Sequence, residues 1–226
     1  MMDDLRSGVY DFLSLGFRQP AAAQVEVLAS SGTRLSLSDL AGLLPVPLLD
    51  QQDHLDRFCQ DVERRSAGDV ASELLVEYCR LFLGPGAVSC PPYGSVYLDG
   101  GVMGPSTLDA VRRYRGEGLR ADASWKEPPD HIAVELGFMA RLSAAYSGAA
   151  SANENGEGAR LLRIQAEFVR DHLGRWGPLF AERLGRATSC QLYQFLAGFL
   201  PHWLALDDEL LRAAAMAEMS VEAECG

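Results

Sequence analysis

The sequence predicts an all-α fold, and three observations carry that prediction. Apolar residues recur at helical spacing along most of the chain. No stretch alternates polar and apolar residues as a half-buried strand would. The glycine- and proline-rich stretches, such as 84–86, 104–105 and 128–129, fall between the periodic segments. With 226 residues, of which 48% are hydrophobic, the chain can bury a substantial core. We expect one bundle-like domain over residues 1–226, with two groups of helices joined by a flexible loop.

In the first segment Leu5, Val9, Phe12, Leu13 and Phe17 share one helical face until Arg18, Gln19 and Pro20 end it. A short helix is expected over residues 21–30, and residues 35–44 form an apolar run closed by Pro45 and Pro47. Residues 48–65 place Leu55, Phe58, Cys59 and Val62 together, and Gly68-Asp69 reads as a break followed by an N-cap. Val70, Leu74, Tyr78, Leu81 and Phe82 then mark an amphipathic helix up to Gly84. Residues 84–105 are rich in glycine, proline and aromatics, too aperiodic for a helix and too apolar for a linker. Long irregular segments in compact domains tend to be functional.

Ser106 to Asp109 resembles a helix start, and the next helix stops at Gly116 to Gly118. The run Glu127-Pro128-Pro129-Asp130-His131 opens another, with Ile132, Leu136, Met139 and Ala140 as its buried stripe up to about Tyr146. Residues 148–158 are small, polar and glycine-rich, and we expect a flexible loop or subdomain hinge there. Helices over 160–173, 178–184, 188–206 and 207–219 complete the chain.

The formal net charge is -11 and Lys126 is the only lysine, so neither nucleic acid nor an anionic membrane is an expected partner. Five widely spaced cysteines with no C-x-x-C pair argue against a disulfide framework or a zinc site. The N-terminal residues lack the pattern of a secretory signal, which suggests a cytoplasmic protein. The apolar stretch 192–206 carries Gln194, Pro201 and His202 and is too short to span a bilayer.

Phosphate-loop, nucleophile-elbow and dinucleotide motifs are absent from the sequence. The sharpest polar cluster is Glu127, Asp130, His131 and Glu135. It reads either as a helix cap, with Asp130 on backbone N–H groups and Glu135 in solvent, or as part of a helical metal-dependent hydrolase. Against the second reading, the three pairs Asp53-His54, Asp130-His131 and Asp171-His172 run opposite to the His-Asp order of helical metal phosphohydrolases. The segment from Pro91 to Tyr97 reads as a packed turn or as the wall of a peptide groove.

Taken together, residues 78–85 (YCRLFLGP), 91–99 (PPYGSVYLD), 104–107 (GPST) and 127–131 (EPPDH) resemble the TorD/DmsD family of redox-enzyme maturation chaperones. Phe168, His172, Trp176, Phe180 and residues 193–196 extend the resemblance over nearly all of the chain after residue 70. The 91–99 segment is most similar to the DmsD branch, with Tyr93 where that branch often has Trp. The resemblance implies an all-α chaperone with no catalysis required, and the residues themselves lead us to expect neither cofactor nor metal. It would bind the twin-arginine leader of a molybdopterin oxidoreductase until cofactor insertion and folding are complete. It also implies a leader site at Glu127, Asp130, His131, Pro92, Tyr93, Ser95 and Tyr97, with Tyr78, Leu81, Phe82 and Gly104 at neighbouring motif positions. On this reading Asp130, with Glu127, pairs with leader arginines and the loop aromatics take the leader's apolar stretch. A NarJ-like factor binding the mature subunit is the alternative within the same family, and the oligomer is a monomer or homodimer.

Overall fold

The computed structural model describes the backbone of residues 2–30, 49–84, 88–120, 125–152 and 154–225; side chains are described from residue 5 to 217 within those segments, except at 49, 50 and 155. The expected run at 35–44 lies outside the described residues. Ten α-helices occur among the described residues, with no strand and one isolated bridge between Tyr93 and His131. The all-α expectation is met.

Helix α1 (Met2–Gly16) lies against α7 (Ile132–Ser151). Ser7 Oγ donates to the Ala140 carbonyl at 3.2 Å and Ser14 Oγ to the Ala133 carbonyl at 2.7 Å, which sets the two helices antiparallel. Helix α2 (Ala22–Leu28) packs on α4 (Ala67–Tyr78), and α3 (Leu49–Arg64) packs on α10 (Gln191–Cys225). Helix α8 (Asn155–Phe168) lies between α7 and α10. Helix α9 (Gly174–Ala187) faces α10 and also supports the short α5 (Gly94–Leu98), which leads to α6 (Pro105–Gly116).

Several boundaries differ from the sequence expectation, each for an identifiable reason. The α4 cap is Ser66, not Asp69: the Ser66 side chain accepts from the Asp69 N–H at 3.1 Å, which leaves Gly68 and Asp69 inside the first turn. Residues 94–98 form a helix where an irregular segment was expected. The helix at 105 is capped from outside, by Asp99 accepting from the Ser106 N–H at 2.9 Å. Residues 148–151 belong to α7 and 155–158 to α8, so only 152–154 of the glycine-rich run lie between helices. Helices α8 and α9 are continuous through a π-turn, Val169–Leu173, as α4 continues through Cys79–Leu83. Helix α10 runs on through Asp207, where two helices, 188–206 and 207–219, were expected. His202 Nδ1 lies 2.8 Å from the Gly198 carbonyl and satisfies a backbone acceptor within the turn that Pro201 disturbs.

Asp207 does not end a helix because it is the centre of a buried polar network. Arg6 Nε pairs with Asp207 Oδ1 at 2.6 Å and Arg6 Nη2 donates to Gln165 Oε1 at 2.8 Å. Tyr10 OH donates to Asp207 Oδ2 at 2.6 Å, and Ser143 Oγ donates to Gln165. Four helices, α1, α7, α8 and α10, are thereby fixed to one another through groups that have left water. Aromatic rings fill the space towards the irregular segment: Tyr78, Phe82, Phe180 and Tyr193 meet mainly edge to face, and Tyr97 stacks on Trp176 at 5.6 Å.

Candidate functional site

The two segments singled out in the sequence, residues 91–99 and 127–135, are joined by their backbones. The Ile132 N–H donates to the Pro92 carbonyl at 2.8 Å and the Gly94 N–H to the Asp130 carbonyl at 2.9 Å. This pair of bonds explains the Tyr93–His131 bridge. Asp130 is fully buried, and its Oδ2 accepts from the Ser95 N–H at 2.8 Å, at the start of α5. The expected cap roles are therefore exchanged. Asp130 caps α5, whereas His131 caps α7, with Nδ1 accepting from the Ala133 N–H at 3.1 Å. Asp130 Oδ1 has no partner among the described residues.

His131 is enclosed by Tyr93 on one ring contact and Trp125 on another, at 5.6 and 5.2 Å between centroids. Burial, with a smaller contribution from Arg18, pushes its imidazole down to about 3, so it is neutral at physiological pH. That neutrality suits an N-terminal cap, where a protonated ring could not accept a hydrogen bond and would oppose the helix dipole. Its Nε2 has no partner among the described residues.

Glu127 sits at the rim, half-buried, and accepts from Tyr93 OH at 2.6 Å. Burial and this carboxylate hold the Tyr93 phenol well above its ordinary range, so it is a neutral donor. Glu135, expected in solvent, is instead fully buried. It accepts from Trp176 Nε1 at 2.9 Å and lies 2.7 Å from His172 Nε2. Burial raises the Glu135 carboxyl; burial lowers His172, but the charge of Glu135 and the hydrogen bond to it outweigh this and leave the imidazole raised. Glu127, Asp130, His131 and Glu135 thus each have their own partners, and among the described residues no group of three such side chains gathers as a metal set.

The remaining candidates divide by depth. Ser95 is buried beneath the loop, where its Oγ accepts from the Met103 N–H at 3.1 Å. Pro92 is buried, and Tyr97 is half-buried with one face on Trp176. Tyr78, Leu81 and Phe82 are core residues, so they hold the wall of the site and present no surface to a ligand. Gly104 lets Asp99 reach Ser106: a Cβ there would stand 2.3 Å from Asp99 Oδ2.

Sequence reasoning missed Val102 and Met103, which are 53% and 62% exposed in the turn after α5, and Leu108, exposed on α6. Met103 has a φ of 64°, a left-handed conformation costly for a side-chain-bearing residue. The bond to Ser95 holds it there with its side chain in solvent. The available signal was two apolar residues enclosed by Gly100-Gly101 and Gly104, where no helical stripe could absorb them.

With this geometry described, comparison with known proteins assigns the chain. A family model described as "Nitrate reductase delta subunit" matches residues 45–182. The TorD chaperone of Vibrio cholerae O1 (El Tor Inaba) is 31% identical over 202 residues, 87% of this chain and 87% of its own. The chain belongs to the TorD family of chaperones within the nitrate reductase delta subunit group. A second Vibrio cholerae TorD, from the Classical Ogawa strain, is 30% identical over 221 residues, 94% of this chain and 96% of its own. The Aliivibrio fischeri TorD is 29% identical over 212 residues, 92% of this chain and 95% of its own. A crystal structure of an Archaeoglobus fulgidus protein assigned to redox enzyme maturation superposes with a TM-score of 0.55. It is 23% identical and covers 88% of this chain and 93% of its own, which supports the fold. These relatives are named as chaperones, in agreement with the expectation of a TorD-family chain that is not an enzyme. No helix among the described residues is long and apolar enough to cross a membrane.

Proposed function

We propose that this TorD-family chain is a cytoplasmic chaperone that binds the twin-arginine leader of a molybdopterin oxidoreductase. It retains the precursor until cofactor insertion and folding are complete. The client is a dimethyl sulfoxide or trimethylamine N-oxide reductase-like enzyme, in keeping with the similarity of residues 91–99 to the DmsD branch and the TorD identity of the relatives. The observation that carries this reading is the junction of residues 91–95 with 127–132, where a rim carboxylate, Glu127, stands beside Tyr93 and above the buried Asp130.

The burial of Asp130 refines the assignment made from the resemblance. Glu127 is the group a leader guanidinium reaches first, and a two-toothed hydrogen-bonded pair there is chemically well matched. Asp130 acts as a positioning residue, because it fixes Ser95 and through Ser95 the Met103 turn. The exposed Val102, Met103 and Leu108 side chains offer apolar surface to the leader's hydrophobic stretch.

Titration calorimetry tests the proposal. A synthetic twin-arginine leader should bind, and replacing both arginines by glutamine should weaken it by about 3 kcal/mol, as loss of the two charge-assisted hydrogen bonds at Glu127 requires. Equal binding of the two peptides would refute it. The alternative within the same family is attachment to the mature subunit. A client lacking its leader separates the two readings: a leader binder loses it, and a mature-subunit binder keeps it.

A further inference from the structure

Next to the Glu127 rim, beyond Trp125 and Pro129, the charge of the protein reverses locally. Helix α7, the end of α1 and the turn after α6 enclose a cavity of about 480 Å³ bordered by Arg18, Arg120 and Arg141. A second cavity of about 400 Å³ adjoins it, sharing Tyr114, Leu119 and Arg120 and adding Arg115. In a chain of net charge -11, four guanidinium groups along one continuous groove are a marked departure. All four arginines are exposed, and none makes an ion pair within 4 Å among the described residues. Asp11 is a carboxylate that feels Arg141 and Arg18. Asp130 and Glu135, buried behind Tyr114, act on that residue as well, but the exposed charges that border the two cavities are the four guanidinium groups.

Between the arginines the groove is apolar. Trp125, Phe138 and Leu119 line it, and Trp125 Nε1 is buried without an acceptor among the described residues. A buried indole N–H without a partner costs free energy that a ligand's carbonyl or carboxylate would recover. The floor is fixed: Tyr114 OH donates to the Pro129 carbonyl at 3.2 Å, and its ring packs on Phe138 at 4.8 Å.

We infer that this groove is a second docking site, which takes an extended acidic segment of a protein partner in which carboxylates alternate with apolar side chains. Length and composition favour a peptide. Inorganic phosphate or pyrophosphate would use the guanidinium groups but leave Leu119, Phe138 and Trp125 wet. A segment lying across both cavities satisfies the charges and covers the apolar floor together. A twin-arginine leader carries the wrong charge for this groove, so the site engages a different part of the partner, and it stands whether or not the leader proposal does.

Fluorescence anisotropy tests it with a labelled twelve-residue peptide in which glutamate alternates with leucine and phenylalanine. The intact chain is expected to bind this probe, to lose affinity as salt rises, and to discriminate against the same peptide with glutamine for glutamate. The double variant Arg120→Gln/Arg141→Gln, altered only at exposed positions, should weaken binding about tenfold. Its calorimetric leader titration should match that of the unaltered protein, which separates this result from failure of the leader site. Equal binding of the glutamate and glutamine peptides, an unaffected double variant, or no binding of the acidic probe would each overturn the inference. Displacement of the probe by micromolar pyrophosphate would overturn it in favour of a small anion.

Discussion

Lowering the pH from 7 to 5 should remove about 2 kcal/mol of stability through His131 alone. The ring is neutral in the folded chain because burial pushes its pKa down to about 3, whereas an unfolded histidine titrates near 6.5. A lowered histidine pKa means that below about pH 6.5 the unfolded chain binds a proton the folded chain refuses. Stability from this group is therefore present above that pH and is lost as pH falls towards 3. At pH 5 the unfolded side lies 1.5 units below its pKa, and at about 1.4 kcal/mol per unit the loss is roughly 2 kcal/mol, rising to about 3 at pH 4. Glu135 and His172, both raised, contribute in the opposite direction, since in their ranges the folded chain holds the extra proton.

The variant His131→Asn isolates the effect, because asparagine keeps a cap acceptor for the Ala133 N–H and does not titrate. Urea unfolding followed by far-ultraviolet circular dichroism at pH 7 and pH 5 gives both differences. The unaltered protein should lose about 2 kcal/mol more than the variant between the two values. If both lose the same amount, His131 is not the buried neutral ring described here.

Other perturbations have equally direct readouts. Glu135→Ala leaves His172 and the Trp176 indole N–H without their buried partner, and should cost about 3 to 5 kcal/mol in urea unfolding; a cost below about 1 would contradict the pairing. Asp99→Ala removes the acceptor of the Ser106 N–H and should cost about 1 kcal/mol, and Gly104→Ala should cost more, because its Cβ would also stand 2.7 Å from the Asp99 Cβ, a clash that the double variant keeps. Limited digestion with a glutamate-specific protease should cut first after Glu154, in the 152–154 connection; early cutting after Glu135 instead would show that the site unfolds locally.

The parts of this fold written in local periodicity were legible in the sequence. The stripe Val70, Leu74, Tyr78, Leu81 and Phe82 and the stripe Ile132, Leu136, Met139 and Ala140 are buried as their spacing requires. The elements that were misread depend on distant partners. Asp130 looked like the cap of its own helix, because the group it caps, Ser95, is 35 residues away. Glu135 looked solvent-exposed because nothing local announces His172 and Trp176. Asp207 resembled a break between helices because its partner Arg6 lies near the other end of the chain. Pro201 lies within the helix, as the expected span 188–206 had it, because packing on both faces of α10 outweighs the lost hydrogen bond. The two motif segments that meet at the site could be named in advance through their resemblance to a family, but their backbone pairing and the exposed Met103 turn needed the structure.

A twin-arginine leader held against the Tyr93–Glu127 rim can be located by photo-crosslinking. A leader carrying a benzoylphenylalanine beside its arginine pair would be irradiated with the intact chain, and the adduct mapped by mass spectrometry. Attachment is expected within residues 91–103 or at Glu127, abolished by replacing the arginines. Attachment to the Arg18, Arg120 and Arg141 groove, or to α10, would contradict it.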